Sequence, residues 1–237
     1  VINLAGEPIA DKRWTDTQKK IICNSRWDIT SELVSKINSC DAPPSVFLSG
    51  SAIGYYGNQG EKLVTEETPP HNEFTHELCA KWETIAQSVD QAKTRVVTLR
   101  TGVVLTEKGG ALGKMALPFK LGAGGTLGSG SQYLAWIHLQ DMVRAISFLL
   151  ENSACSGAFN LTAPEPVTNK VFSKALAKSL NRPCLFNVPG FVMKVAMGES
   201  STMILEGQRV IPQKLTTAGF SFDFPSIDEA LREIYRA

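Results

Sequence analysis

The stretch VFLSGS, Val46 to Ser51, decides how the rest of the chain reads. Val46-Phe47-Leu48 is apolar at consecutive positions, so a strand made from it is buried on both faces, and Ser49-Gly50-Ser51 predicts a tight turn at its end. Just before it, Asp41-Ala42-Pro43-Pro44 closes off a helical pattern, because proline removes a donor and restricts the residue ahead of it. That pattern covers Thr15 to Asn38, where Ile21, Ile22, Ile29, Leu33, Val34 and Ile37 recur every three or four residues, and predicts a helix in one or two pieces. On the other side, Glu73 to Gln91 carries Phe74, Leu78, Trp82, Ile85, Ala86 and Val89 at helical spacing, and Arg95 to Arg100 is a second strand. Val1 to Leu4 supplies a strand before the first helix. The order is β-α-β-α-β, and strands apolar on both faces joined by long helices form a parallel sheet covered on both sides.

The chain has 237 residues, 43% of them hydrophobic and 20% charged, which excludes a disordered tail and suits one domain, or one domain with a lobe. Its 24 basic and 23 acidic residues nearly cancel and form no long run, so neither nucleic acid nor a membrane surface is an expected partner. Five cysteines, Cys23, Cys40, Cys79, Cys155 and Cys184, are scattered without a C-x-x-C pair, which fits reduced thiols in the cytoplasm. No metal-ligand spacing stands out, and Met193, Met197 and Met203 are expected to fill a core.

Beyond the second strand, residues 109–135 are glycine-rich and read as a flexible loop over a cleft, Leu139 to Glu151 as an amphipathic helix, and Ala158 to Leu161 as a strand. After Pro164-Glu165-Pro166 the texture changes: a helix from Asn169 to Leu180, a strand at Leu185 to Val188 and helices on either side of Gly219-Phe220 predict a small α+β lobe. The expected division is residues 1–162 and residues 163–237. Val1 to Leu4 resembles a central strand, so the chain reads as strand four onward of a dinucleotide-binding sheet of order 3-2-1-4-5-6, N-terminally incomplete. No G-x-G-x-x-G occurs; GAGGTLGSG, Gly122 to Gly130, puts Leu127 where the last glycine belongs and lacks a P-loop lysine.

Together, VINLAGEPIADKRW, SRWDIT, SGSAIGYYG, LRTGVVL, GSGSQYLAWIHLQDMV, FNLTAPEPVTN and GQRVIPQKLTTAGFSFDFPSIDEAL resemble the extended short-chain dehydrogenase/reductases of the NAD-dependent epimerase/dehydratase group, in its YfcH-like "epimerase family protein" branch. The resemblance implies a Rossmann-type sheet with a C-terminal substrate lobe, and roughly 60 residues upstream carrying the glycine-rich turn. It implies NADP or NAD as cofactor. Leu4, Ala5 and Gly6 would pass the adenosine side, Ser49, Gly50 and Ser51 the nicotinamide ribose, and Arg100, Thr101, Gly102 and Val103 the nicotinamide ring. The substrate would be a small carbonyl or carbinol compound such as a nucleotide sugar, and the protein an oxidoreductase or an isomerase.

The catalytic pattern departs from that family. Ser51 matches its serine or threonine, but its Tyr-x-x-x-Lys is missing: Thr75 and Cys79 stand in those places, and Lys81 lies two positions on, rotated by about 200°. In SRWDIT, Arg26 stands where many members carry asparagine. Tyr56 is the substitute acid, with Arg26 as the cation that a tyrosine of ordinary pKa requires. His71 and His76 read as solvated or capping groups, and Asp141 as the N-cap of the helix that follows it. The competing class is a non-catalytic NAD(P)-binding regulator, linked to cell division by the label some relatives carry.

Overall fold

The computed structural model describes residues 1–236. The first half runs β1 (Ile2–Asn3), α1 (Asp16–Ser39), β2 (Val46–Ala52), a 3-10 turn (Ile53–Tyr56), β3 (Leu63–Val64), α2 (Phe74–Gln87), β4 (Arg95–Thr101) and β5 (Val103–Leu105). The middle holds α3 (Gly110–Lys120), β6 (Gly125–Leu127), β7 (Tyr133–Leu134), β8 (Trp136–His138), α4 (Leu139–Glu151) and β9 (Gly157–Leu161). The rest comprises β10 (Val167–Thr168), α5 (Asn169–Ser179), β11 (Phe186–Val188), α6 (Gly190–Met197), a 3-10 turn (Gly198–Ser201), α7 (Thr202–Leu205), β12 (Arg209–Val210), α8 (Gln213–Thr217) and α9 (Ile227–Ile234).

The central sheet has the order β1-β2-β4-β9, every pair parallel, so all four strands deliver their carboxyl ends to one edge. This is the doubly wound α/β arrangement expected from the sequence. On one face, Val34 and Ile37 of α1 and Ala86 of α2 pack on Phe47 and Val96. On the other, Ala145 and Leu149 of α4 pack on Leu48, Val97 and Leu99, joined by Leu215 and Phe220 from near the C-terminus. A further core gathers Leu105, Leu112, Phe119 and Trp136 with Phe172, Leu176 and Leu231, so segments before and after residue 163 share one interior.

Several elements differ from expectation for identifiable reasons. The first helix is one piece, because Asp16–Ser39 contains neither glycine nor proline; Thr15 caps it by accepting from the Gln18 N–H. The second strand does not end at Ser49. It continues to Ala52, in register with β4 up to Ala52↔Thr101, and the turn falls at Ile53–Tyr56. Gly50 is required there by packing: a Cβ would lie 2.9 Å from the Trp82 ring of α2. The glycine-rich segment 109–135 holds α3, with Leu112, Ala116 and Phe119 buried, despite Pro118 within it. Asp141 is no cap. That role belongs to His138, whose Nδ1 accepts from the Gln140 N–H, while the fully buried Asp141 accepts from the N–H groups of Asp223 and Phe224, each at 2.9 Å. The methionines fill no buried core either: α6 buries none of its residues, and Met203 is exposed.

Candidate functional site

At the carboxyl edge of the sheet the buried polar groups form one connected chain. Ser51 Oγ donates to Glu83 Oε1 at 2.6 Å. Arg100 donates through Nε to the same oxygen and through Nη2 to Oε2, both at 2.8 Å, a bidentate pair inside the protein. Its Nη1 donates to the Tyr56 hydroxyl at 3.0 Å, and that hydroxyl donates to Asn160 Oδ1 at 2.6 Å. Asn160 continues the chain, its amide N–H reaching Glu66 Oε1 and its Nδ2 the Ile211 carbonyl; Glu66 also accepts from the Lys214 N–H. Strands β2, β4 and β9 and helix α2 are thus tied to the segment leading into α8.

This arrangement sets the electrostatics. Burial pushes the Tyr56 phenol up to about 12, with the charge and hydrogen bond of Arg100 opposing that rise. Burial pulls the Arg100 guanidinium down, but the hydrogen bonds and charge of Glu83 outweigh it and the net shift is upward. The cation beside Tyr56 is therefore Arg100, not Arg26. Arg26 donates to the carbonyls of Glu7 and Ile22, each at 3.0 Å, and lies over the Trp82 ring, because Gly6 leaves the room its guanidinium fills. Cys79, in the place aligned with lysine, is buried, and loss of hydration pushes its thiol up to about 12. Thr75, in the tyrosine place, donates to Glu73 Oε1 and packs beside Gly54. His76 donates to the Tyr55 carbonyl and His71 is exposed.

The sequence-derived set divides by accessibility. Leu4, Ala5 and Gly6 are exposed and Thr101, Gly102 and Val103 half-buried, whereas Ser49, Gly50, Ser51 and Arg100 are buried. Ser49 Oγ donates to the Gly50 carbonyl at 3.3 Å. Thr162, directly after β9 and beside Gly102, has a buried hydroxyl without a partner. The exposed end of β1 and the half-buried end of β4, with an orphaned hydroxyl just past β9 on the far side of β4, fit a flat, polar-rimmed cofactor lying across the sheet edge. Glu83, Asn160 and Glu66 escaped the sequence reading. Only Glu83 carried a signal, a carboxylate one turn after Cys79 on the buried face of α2.

The match to known proteins spans the chain. The model of the NAD dependent epimerase/dehydratase family covers residues 1–162, and a domain of unknown function (DUF1731) covers residues 188–234. An epimerase family protein of Mycobacterium bovis is 41% identical over 232 residues, 98% of this chain and 76% of the relative. This chain belongs to the NAD dependent epimerase/dehydratase family. Within it, the epimerase family protein SDR39U1 homolog, chloroplastic, of Arabidopsis thaliana is 40% identical over 99% of this chain and 67% of its own length. The human epimerase family protein SDR39U1, solved with NADPH, superposes with a TM-score of 0.95 at 35% identity, covering 99% of this chain and 81% of that one. A nucleoside-diphosphate sugar epimerase of Corynebacterium glutamicum aligns with a TM-score of 0.80 at 28% identity, over 99% of this chain and 46% of that one. Among the described residues, no helix is long and apolar enough to cross a membrane.

Proposed function

We propose that this protein binds NADP(H), or NAD(H), across the carboxyl edge of its sheet and uses it on a small carbonyl or carbinol compound, as an oxidoreductase or an epimerase. The observation that carries the reading is the whole-chain likeness to the human relative solved with NADPH. Backbone at Leu4 to Gly6 and at Thr101 to Val103 would hold the cofactor, with the Thr162 hydroxyl as an added partner. Once bound, the nicotinamide supplies a hydride donor or acceptor. Ser51 Oγ donates its hydrogen bond to Glu83, so its lone pairs are left to accept one from a carbinol hydroxyl. Tyr56 serves as a positioning group: its hydroxyl is satisfied on both sides and stays protonated at neutral pH. The five free cysteines suit a reducing compartment such as the cytoplasm.

One observation favours a second reading, a cofactor-bound regulator without turnover. The residues in the places of the usual relay are a buried neutral thiol and a threonine bonded to Glu73, neither of which stabilises a phenolate. Fluorescence titration with NADPH tests binding, and the cofactor's near-ultraviolet absorbance across a panel of ketones, aldehydes and alcohols tests turnover. Saturable binding with oxidation supports the enzyme, and saturable binding without it across the panel supports the regulator. No binding of either nucleotide overturns both.

A further inference from the structure

The arginines of this chain divide by what their guanidinium groups hold. Arg13 donates to the Val195 carbonyl, Arg26 to those of Glu7 and Ile22, and Arg95 to those of Leu149, Leu150 and Cys155. Arg100 and Arg144 pair with carboxylates. Among the described residues Arg182, Arg209, Arg232 and Arg236 make no such bond, and Arg209 lies over the Tyr133 ring. Arg232 and Arg236 stand apart because both line one hollow.

That hollow, of about 220 Å³, lies between the last turns of α5, through Ala175 and Lys178, and the stretch of α9 and its end that carries Asp228, Arg232, Tyr235 and Arg236. Ala175 is buried, and its single methyl leaves room that a longer side chain would fill. Three cations meet one carboxylate here. Asp228 stands 3.8 Å from Lys178, so the lining carries two positive charges in excess. Just outside it, Lys120 over the Tyr235 ring and Glu107 beside that residue offset one another, and the excess stands. Two guanidinium groups at one hollow repel each other unless an anion lies between them. Tyr235 adds a phenol, which burial and then the charge of Glu107 push up, so it is a hydrogen donor at neutral pH. No residue of this hollow belongs to the buried chain through Ser51, Arg100 and Tyr56, or to the strand ends at Leu4 to Gly6 and Thr101 to Val103.

We propose that the hollow between α5 and α9 is a separate ligand site for a small dianion, a phosphate monoester or a dicarboxylate, held by the guanidinium groups of Arg232 and Arg236. Lys178 and the Tyr235 phenol complete the set of donors. The excess of two positive charges sets the ligand's charge, and the planar fork of each guanidinium matches a pair of carboxylate or phosphate oxygens. A space of about 220 Å³ suits such a group with a short organic body and is too small for a dinucleotide. The site is independent of the cofactor reading.

The test is titration of isotope-labelled protein with inorganic phosphate and, separately, with succinate, at ionic strength held constant with sodium chloride. Nuclear magnetic resonance follows the arginine Nε–H signals and the backbone amides. The expected result is saturable binding of at least one probe that moves the signals of Arg232 and Arg236 and leaves Arg182 still. Phosphate alone saturating assigns the site to a phosphoryl group, and succinate alone to a dicarboxylate. Arg232→Gln and Arg236→Gln should each weaken binding about tenfold, and Asp228→Asn should tighten it several-fold by removing the opposing charge. All three side chains are exposed, so the variants should fold as the parent does. Shifts that grow in proportion to concentration without saturating, for both probes, overturn the proposal. So does saturable binding indifferent to both glutamine variants. Binding that moves the amides of Leu4 to Gly6 and Thr101 to Val103 in place of the two arginines would put the anion in the cofactor cleft, and overturns it as well.

Discussion

Arg100 and Glu83 meet inside the protein through two parallel hydrogen bonds, so removing either partner alone leaves a charge that water cannot reach. Glu83→Gln is expected to destabilise the fold by about 3–5 kcal/mol, whereas Glu83→Leu combined with Arg100→Met recovers most of that loss. Equilibrium denaturation of the two variants checks this, and a double variant no better than the single would show that the network matters beyond its charge. Tyr56 offers a pH test whose sign follows from its raised pKa. Below pH 10.0, its ordinary value, the phenol is protonated in both folded and unfolded chains and contributes no pH dependence. Above it the unfolded chain releases the proton first, so stability declines as pH rises from 10.0 towards about 12. Phenolate absorbance should show a tyrosine titrating near that upper value and moving to the ordinary range on unfolding. Tyr56→Phe should abolish the late step.

At the scale of elements, the parts legible in the sequence were those whose periodicity comes from burial against the sheet. Leu139–Glu151 and the strand around Phe159 emerge with nearly their observed limits because one stripe or one run alone faces the core. The end of β2 was misplaced because Ser-Gly-Ser is also turn chemistry, and only the indole of Trp82, 31 residues beyond Ser51, explains a glycine inside a strand. Helix α3 was missed since Gly109, Gly110, Gly113 and Pro118 depress local propensity, and the burial of Leu112 and Phe119 that pays for it is tertiary. The buried chain through Tyr56 and Asn160 joins residues 104 apart, beyond any local pattern. The pairing of β11 with β6 can be broken specifically. A Cβ on Gly125 would sit 2.3 Å from the Phe186 carbonyl oxygen, which is backbone and cannot rotate away. Gly125→Ala should therefore release β11, and amide hydrogen exchange at Phe186 to Val188 and along α6 should accelerate while β2 and β4 keep their protection.

Across the whole molecule, the sheet is held by apolar packing and the stretch carrying α6 by polar tethers, so the two should respond to salt in opposite measure. Among the described residues α6 buries no side chain, and the ion pair nearest to it, Lys19 with Glu199, is partly exposed at both ends. Such a pair contributes about 0.2–1 kcal/mol and is screened over a Debye length of about 8 Å at physiological ionic strength. That is too little to affect global unfolding and enough to shift a local opening equilibrium several-fold. Lys19→Glu should accelerate amide exchange in α6 and in Gly198–Ser201 by about two- to fivefold at low salt, with Tm unchanged. Glu199→Lys should do the same, and the double exchange Lys19→Glu with Glu199→Lys should restore parental rates, because it returns opposite charges to the same two positions. Added salt should raise the parent's exchange towards that of the single variants and leave the double exchange and the parent alike. Equal rates in all four proteins would mean that the Arg13 bond to Val195 holds α6 without help from charge, and Arg13→Ala would then be the variant that frees it.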